Sequence, residues 1–104
     1  MKVNILGTEY TIYEDNELDK LGLDGCCKKY DKEISIRSIG NMLEDGDHYE
    51  SKLERHCEVM RHELIHAFFN ESGLDEYGND EQLVDWLAMQ FPKMVKTFKD
   101  VGCL

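Results

Sequence analysis

His62, Glu63 and His66 form a His-Glu-x-x-His spacing within Arg61-His62-Glu63-Leu64-Ile65-His66-Ala67. On an α-helix, residues four apart lie one turn apart on one face, so both imidazoles can reach one ion. Glu63 cannot fold back onto the ion its neighbour binds, but it can meet a water held there. A catalytic zinc takes three protein ligands and keeps a position for water, whose pKa it lowers to about 7. A glutamate beside that water can act as general base and pass the proton on to a leaving amine. The spacing therefore points to metal-assisted hydrolysis, with one zinc ion as the expected cofactor and Glu63 as the catalytic base.

Two histidines do not complete such a site, and no histidine follows His66. The third ligand is therefore sought among the downstream carboxylates Glu71, Asp75, Glu76, Asp80, Glu81 and Asp85. Glu81 and Asp85 stand one turn apart on the last predicted helix. If that helix packs beside the histidine helix, Glu81 completes the site and Asp85 accepts a histidine N–H, fixing tautomer and ring orientation. The rival assignment makes Asp85 the ligand and leaves Glu81 to cap the helix. His48 and His56 do not share the face of His62 and His66 and are expected at the surface.

The elements that must hold these groups follow from periodicity. Val3–Leu6 and Glu9–Tyr13 alternate across Gly7-Thr8 and predict a β-hairpin. Asn16 caps a short helix ended by Gly22, and Asp24-Gly25 is a turn. Cys26–Tyr30 and Glu33–Ile39 predict a second strand pair, with Ile34 and Ile36 on one face and Ser35, Arg37 and Ile39 on the other. A loop from Gly40 to Gly46 leads to Asp47 and Glu50, a capping-box start for a helix from about Tyr49 to about Glu71, closed by Gly73. Its stripe of Leu53, Cys57, Met60, Leu64, Ala67 and Phe68 is expected in the core, with His62, His66, Val59 and Phe69 roughly opposite. Asn79 and Gln82 start the last helix, whose core stripe is Val84, Leu87, Phe91, Met94 and Phe98. Pro92 should kink or restart it, and Gly102 marks its end. The fold class is α+β: a small antiparallel or mixed sheet packed on the central histidine helix and a C-terminal helix, one domain over residues 1–104.

Composition narrows the partners. A formal net charge of −10 disfavours nucleic acid and anionic membrane surfaces. No apolar run resembles a signal peptide or a bilayer span, and Cys26, Cys27, Cys57 and Cys103 form no C-x-x-C pair. They read as reduced thiols in the cytoplasm.

With these residues in place, the chain resembles the gluzincin metallopeptidases. Among them it is similar to the small ImmA/IrrE-like and minimal gluzincin proteins of phages and mobile elements. The resemblance lies in Arg61–Leu74 (RHELIHAFFNESGL) and Glu81–Pro92 (EQLVDWLAMQFP), with support from KEISIRSI. It implies a zincin-like zinc peptidase acting on a peptide or protein, with His62, His66 and Glu81 as ligands, Glu63 as base and Asp85 behind a histidine. It also implies an edge strand that pairs with extended substrate, for which Glu33, Ile34, Ser35, Ile36 and Arg37 are the candidates. The chain lacks a separate C-terminal lobe and a downstream oxyanion-stabilising histidine, leaving Tyr77 as the candidate donor. Cys26 or Cys27 also resembles the cysteine ligand of peptide deformylases, though Lys28-Lys29 departs from that pattern. Cys103 is a candidate for tail self-inhibition. The alternative reading is a catalytically weak or inactive regulatory binding module that keeps the fold and the metal.

Overall fold

A computed structural model describes residues 1–42 and 48–104. Asp47, and with it the expected capping box, lies outside the described residues, as does the loop over 43–46. The architecture is α+β, with four strands in one mixed sheet and two long helices among the described residues. The strands are β1 (Lys2–Ile5), β2 (Thr8–Glu14), β3 (Gly25–Lys28) and β4 (Glu33–Ile36). The helices are α1 (Leu18–Leu21), α2 (Tyr49–Glu71), α3 (Asp75–Gly78) and α4 (Glu81–Asp100). No helix among the described residues is long and apolar enough to cross a membrane.

The β1–β2 hairpin forms as expected, with Leu6 and Gly7 at positive φ in its turn. Gly22 ends α1 in the left-handed region, but Asn16 does not cap it. Its side chain instead accepts the Ser38 N–H at 3.1 Å. β2 then pairs in parallel with β4, and β3 pairs antiparallel with β4, giving the order β1-β2-β4-β3. Gly25, expected in a turn, is the first residue of β3. This order overturns one expectation. Glu33, Ile34, Ser35 and Ile36 form an interior strand with neighbours on both sides, so they offer no free edge. Arg37 is buried in ion pairs with Asp19 and Asp24, the latter at 2.8 Å. Among the described residues, β3 stands at the edge of the sheet and packs against α2.

The core joins the sheet to α2. Ile5, Tyr10, Ile12, Ile34, Ile36 and Met42 pack with Ala67, and Val59, Met60 and Leu64 close over them. Leu53, Cys57 and Phe68 of the expected α2 stripe are exposed, as are Phe91 and Phe98 of α4. Leu53 and Cys57 precede Val59, where α2 begins to pack on the core; Phe68 stands about 100° around the helix from buried Ala67, and α4 packs against α2 and α3. Pro92 does not restart the last helix, which runs unbroken from Glu81 to Asp100.

Two ionic clusters fix the orientation of α2. Near its N-terminal half, Arg55 donates to Asp24 at 2.5 Å, the same carboxylate that holds Arg37. At its C-terminus, Glu71 accepts from Tyr10 at 2.7 Å, Lys32 at 2.7 Å and Thr8 at 3.0 Å. These donors, led by Lys32 and Tyr10, hold the Glu71 carboxyl down to about 2. A carboxylate is unfavourable at a helix C-terminus, so the donors also offset the dipole. Because the folded value lies below the ordinary 4.5, the stabilisation is present above about pH 4.5 and is lost as pH falls toward about 2. Urea midpoints of wild type and Glu71→Gln should therefore differ most at pH 7 and converge as pH drops to 3. A gap that stays constant with pH would rule out this account.

Candidate metal centre

The site forms where α2 and α4 pack side by side. Asp80 caps α4 by accepting the Leu83 N–H at 3.1 Å, one residue later than the expected Asn79 start. That leaves Glu81 free of a capping role and turned toward α2. Its carboxylate straddles the two rings: Oε2 lies 3.1 Å from His62 Nε2, and Oε1 lies 3.0 Å from His66 Nε2. The two Nε2 atoms are 3.1 Å apart. Three donors around one tetrahedral zinc, each about 2.0–2.1 Å from it, stand about 3.3–3.4 Å from one another. The spacing found is close to that. Among the described residues, His62, Glu63 and His66 form one cluster of potential ligand atoms, and His62, Glu81 and Asp85 another.

The outward ring nitrogens are also engaged. His62 Nδ1 lies 2.8 Å from Asp85 Oδ1, the arrangement expected for Asp85. His66 hydrogen-bonds the backbone of Gly78 in α3, a helix not anticipated from sequence. Burial, the largest influence, lowers the His66 pKa from its ordinary value. A neutral imidazole has one N–H. With both protons given outward, the two Nε2 atoms and the carboxylate would all be acceptors, a set that suits a cation.

Glu63 is 6% exposed, and its Oε1 lies 3.7 Å from His62 Nε2. Burial pushes its carboxyl up to about 7; His62 opposes this and Glu81 adds to it. Glu63 can lie there because Gly25 has no side chain. A Cβ at Gly25 would stand 3.0 Å from Glu63 Cγ, 3.0 Å from Val59 Cγ1 and 3.3 Å from the Ser35 carbonyl. The sequence placed Gly25 in a turn, so its place in β3 and this close approach to Glu63 were not anticipated.

Two adjoining open cavities of about 670 and 570 Å³ share Leu23, Gly25, His62 and Glu63. The first extends along α2 past Arg55 and Glu58, and the second past Cys26, Asn70 and Glu81. Tyr77 lines neither. Its half-exposed ring lies 6.2 Å from that of Phe69, so the expected oxyanion donor is not brought to the cleft. Cys26 and Cys27 line the second cavity but join neither ligand cluster among the described residues. Burial, first among several causes, pushes the Cys27 thiol up to about 12, so it is protonated at neutral pH. Cys103 Sγ donates to the Phe98 carbonyl at 3.4 Å. It sits beyond the far end of α4, about 30 Å along the helix from Glu81, and so does not reach the site.

No family model, curated protein or solved structure matches the chain. The chemistry of the site rests on its own geometry.

Proposed function

We propose that this chain is a zinc-dependent metallopeptidase of the gluzincin type, with a minimal zincin-like fold. One observation carries the reading: two imidazole Nε2 atoms and a carboxylate converge within 3.0–3.1 Å while His62 Nδ1 lies 2.8 Å from Asp85. His62, His66 and Glu81 would hold the ion. When bound, zinc polarises a carbonyl and makes water a nucleophile near neutral pH. The residues supply the rest. Glu63, buried at the cleft floor, takes the proton of the attacking water and hands it to the leaving amine. Asp85 and the Gly78 backbone keep the two rings in the tautomers that present Nε2 inward.

The substrate would lie along β3. Among the described residues no strand pairs with its outer edge, and both cavities run beside it. An extended peptide can add there as a further strand through main-chain hydrogen bonds. This moves the substrate-pairing role from Glu33–Arg37 to Gly25–Lys28.

The test is direct. Purified protein should bind zinc at one ion per chain, and the loaded form should cleave an unstructured polypeptide. His62→Ala should lose at least about tenfold in zinc affinity. Binding that is unchanged in His62→Ala, or a stoichiometry of zero, would remove the proposal.

A further inference from the structure

Pro92 lies inside α4 and has no N–H, so the carbonyl four residues earlier, that of Ala88, loses its helical partner. Ala88 is buried, and a buried unpaired carbonyl is unfavourable. The partner comes from the other helix: Arg61 Nε–H donates to the Ala88 carbonyl at 2.6 Å. Arg61 directly precedes His62, and Ala88 lies three residues after Asp85. This bond therefore crosses from α2 to α4 one residue from a proposed zinc ligand and one turn from Asp85. Apolar packing through Val84 and Ala88 brings the helices together but is not directional. A hydrogen bond to a main-chain carbonyl is directional, and it fixes how far one helix slides or turns on the other.

We infer that Pro92 frees the Ala88 carbonyl and that Arg61 uses it as a strut setting the position of Glu81 and Asp85 over the two histidines. Arg61 and Pro92 are then positioning residues, a role that rests on the metal-centre reading above. The strut also explains why an uninterrupted helix tolerates a proline at this point. The proline converts a bond internal to α4 into one between the helices.

Arg61→Met keeps the apolar stem and removes the donor. Pro92→Ala returns an N–H to the Ala88 carbonyl. Zinc affinity, by competition with a chelator, and the urea midpoint are measured on the full chain for wild type, both single variants and the double variant. Arg61→Met should lower the midpoint and weaken zinc binding by at least about tenfold. The double variant should regain the midpoint, since the carbonyl is paired again, yet keep the weakened zinc binding. It also carries the comparison if Arg61→Met does not fold. Zinc affinity that recovers together with the midpoint, or that never falls, overturns the strut. A metal-free readout separates this from the function proposed above. The His62 Nδ1–H facing Asp85 should give a protected, downfield proton signal in wild type and lose it in the double variant. Its persistence there overturns the strut whether or not zinc binds. Its loss in a protein that takes up no zinc sustains the strut and defeats the metal reading.

Discussion

Glu63→Gln is expected to bind zinc as wild type does and to cleave an unstructured polypeptide about 10²–10⁴-fold more slowly, the usual contribution of a general base. The substitution is nearly isosteric and leaves His62, His66 and Glu81 in place. Glu63 Oε1 is 3.7 Å from His62 Nε2, beyond a hydrogen bond, so the ring does not depend on it for orientation. Its tautomer is set by Asp85 on the other side. A change confined to the proton acceptor should therefore lower kcat and leave zinc affinity within a few-fold. Folding should not suffer, because a neutral amide is easier to bury than a carboxylate whose pKa burial already pushes up to about 7. Zinc titration, turnover and urea unfolding on the same preparation check all three. Zinc binding with no turnover in either wild type or variant would instead support a binding module that uses the metal without hydrolysis.

What was legible in the sequence is what is local in space. His62 and His66 share a face because both lie on one helix four residues apart, and Glu81 and Asp85 do so for the same reason. Joining the two pairs required only that α2 and α4 be neighbours. The errors came from groups whose roles are set by distant chain. Glu33–Arg37 alternates like an edge strand, but its burial comes from parallel pairing with β2 on one side and β3 on the other. Local alternation cannot show that. Arg37, expected on a substrate-pairing edge, is buried in ion pairs with Asp19 and Asp24. The helix stripes have the helical period, but periodicity does not tell which part of an apolar arc is covered: Phe68 is exposed beside buried Ala67, although Glu71 further on still bonds Tyr10 and Thr8 of the sheet. Backbone contributions left the least trace: Gly78 serves His66 through its main chain, and the Ala88 carbonyl serves Arg61.

Gly25 is the extreme case, since its contribution is the absence of a side chain. Gly25→Ala is expected to destabilise the fold by about 1–3 kcal/mol, the typical cost of an extra methyl in a tightly packed place. It should also slow cleavage about 10²-fold, the scale on which a misplaced catalytic group by about 1 Å is felt. The new Cβ would meet Glu63 Cγ and Val59 Cγ1 at 3.0 Å each, and the Ser35 carbonyl at 3.3 Å. Cγ is near the root of the Glu63 side chain, so the carboxylate cannot simply swing its tip away. Either α2 shifts outward or Glu63 changes rotamer, and both move the base relative to His62. The proposed ligands His62, His66 and Glu81 are not among the three nearest atoms the methyl would meet, so zinc affinity should fall less than kcat. Pairing the change with Val59→Ala discriminates further. Trimming Val59 removes one of the two side-chain clashes and should recover part of the stability, while the clash with Glu63 keeps turnover low. Wild-type turnover in Gly25→Ala would mean that Glu63 has room it does not have here, and would separate the glycine from the placement of the base.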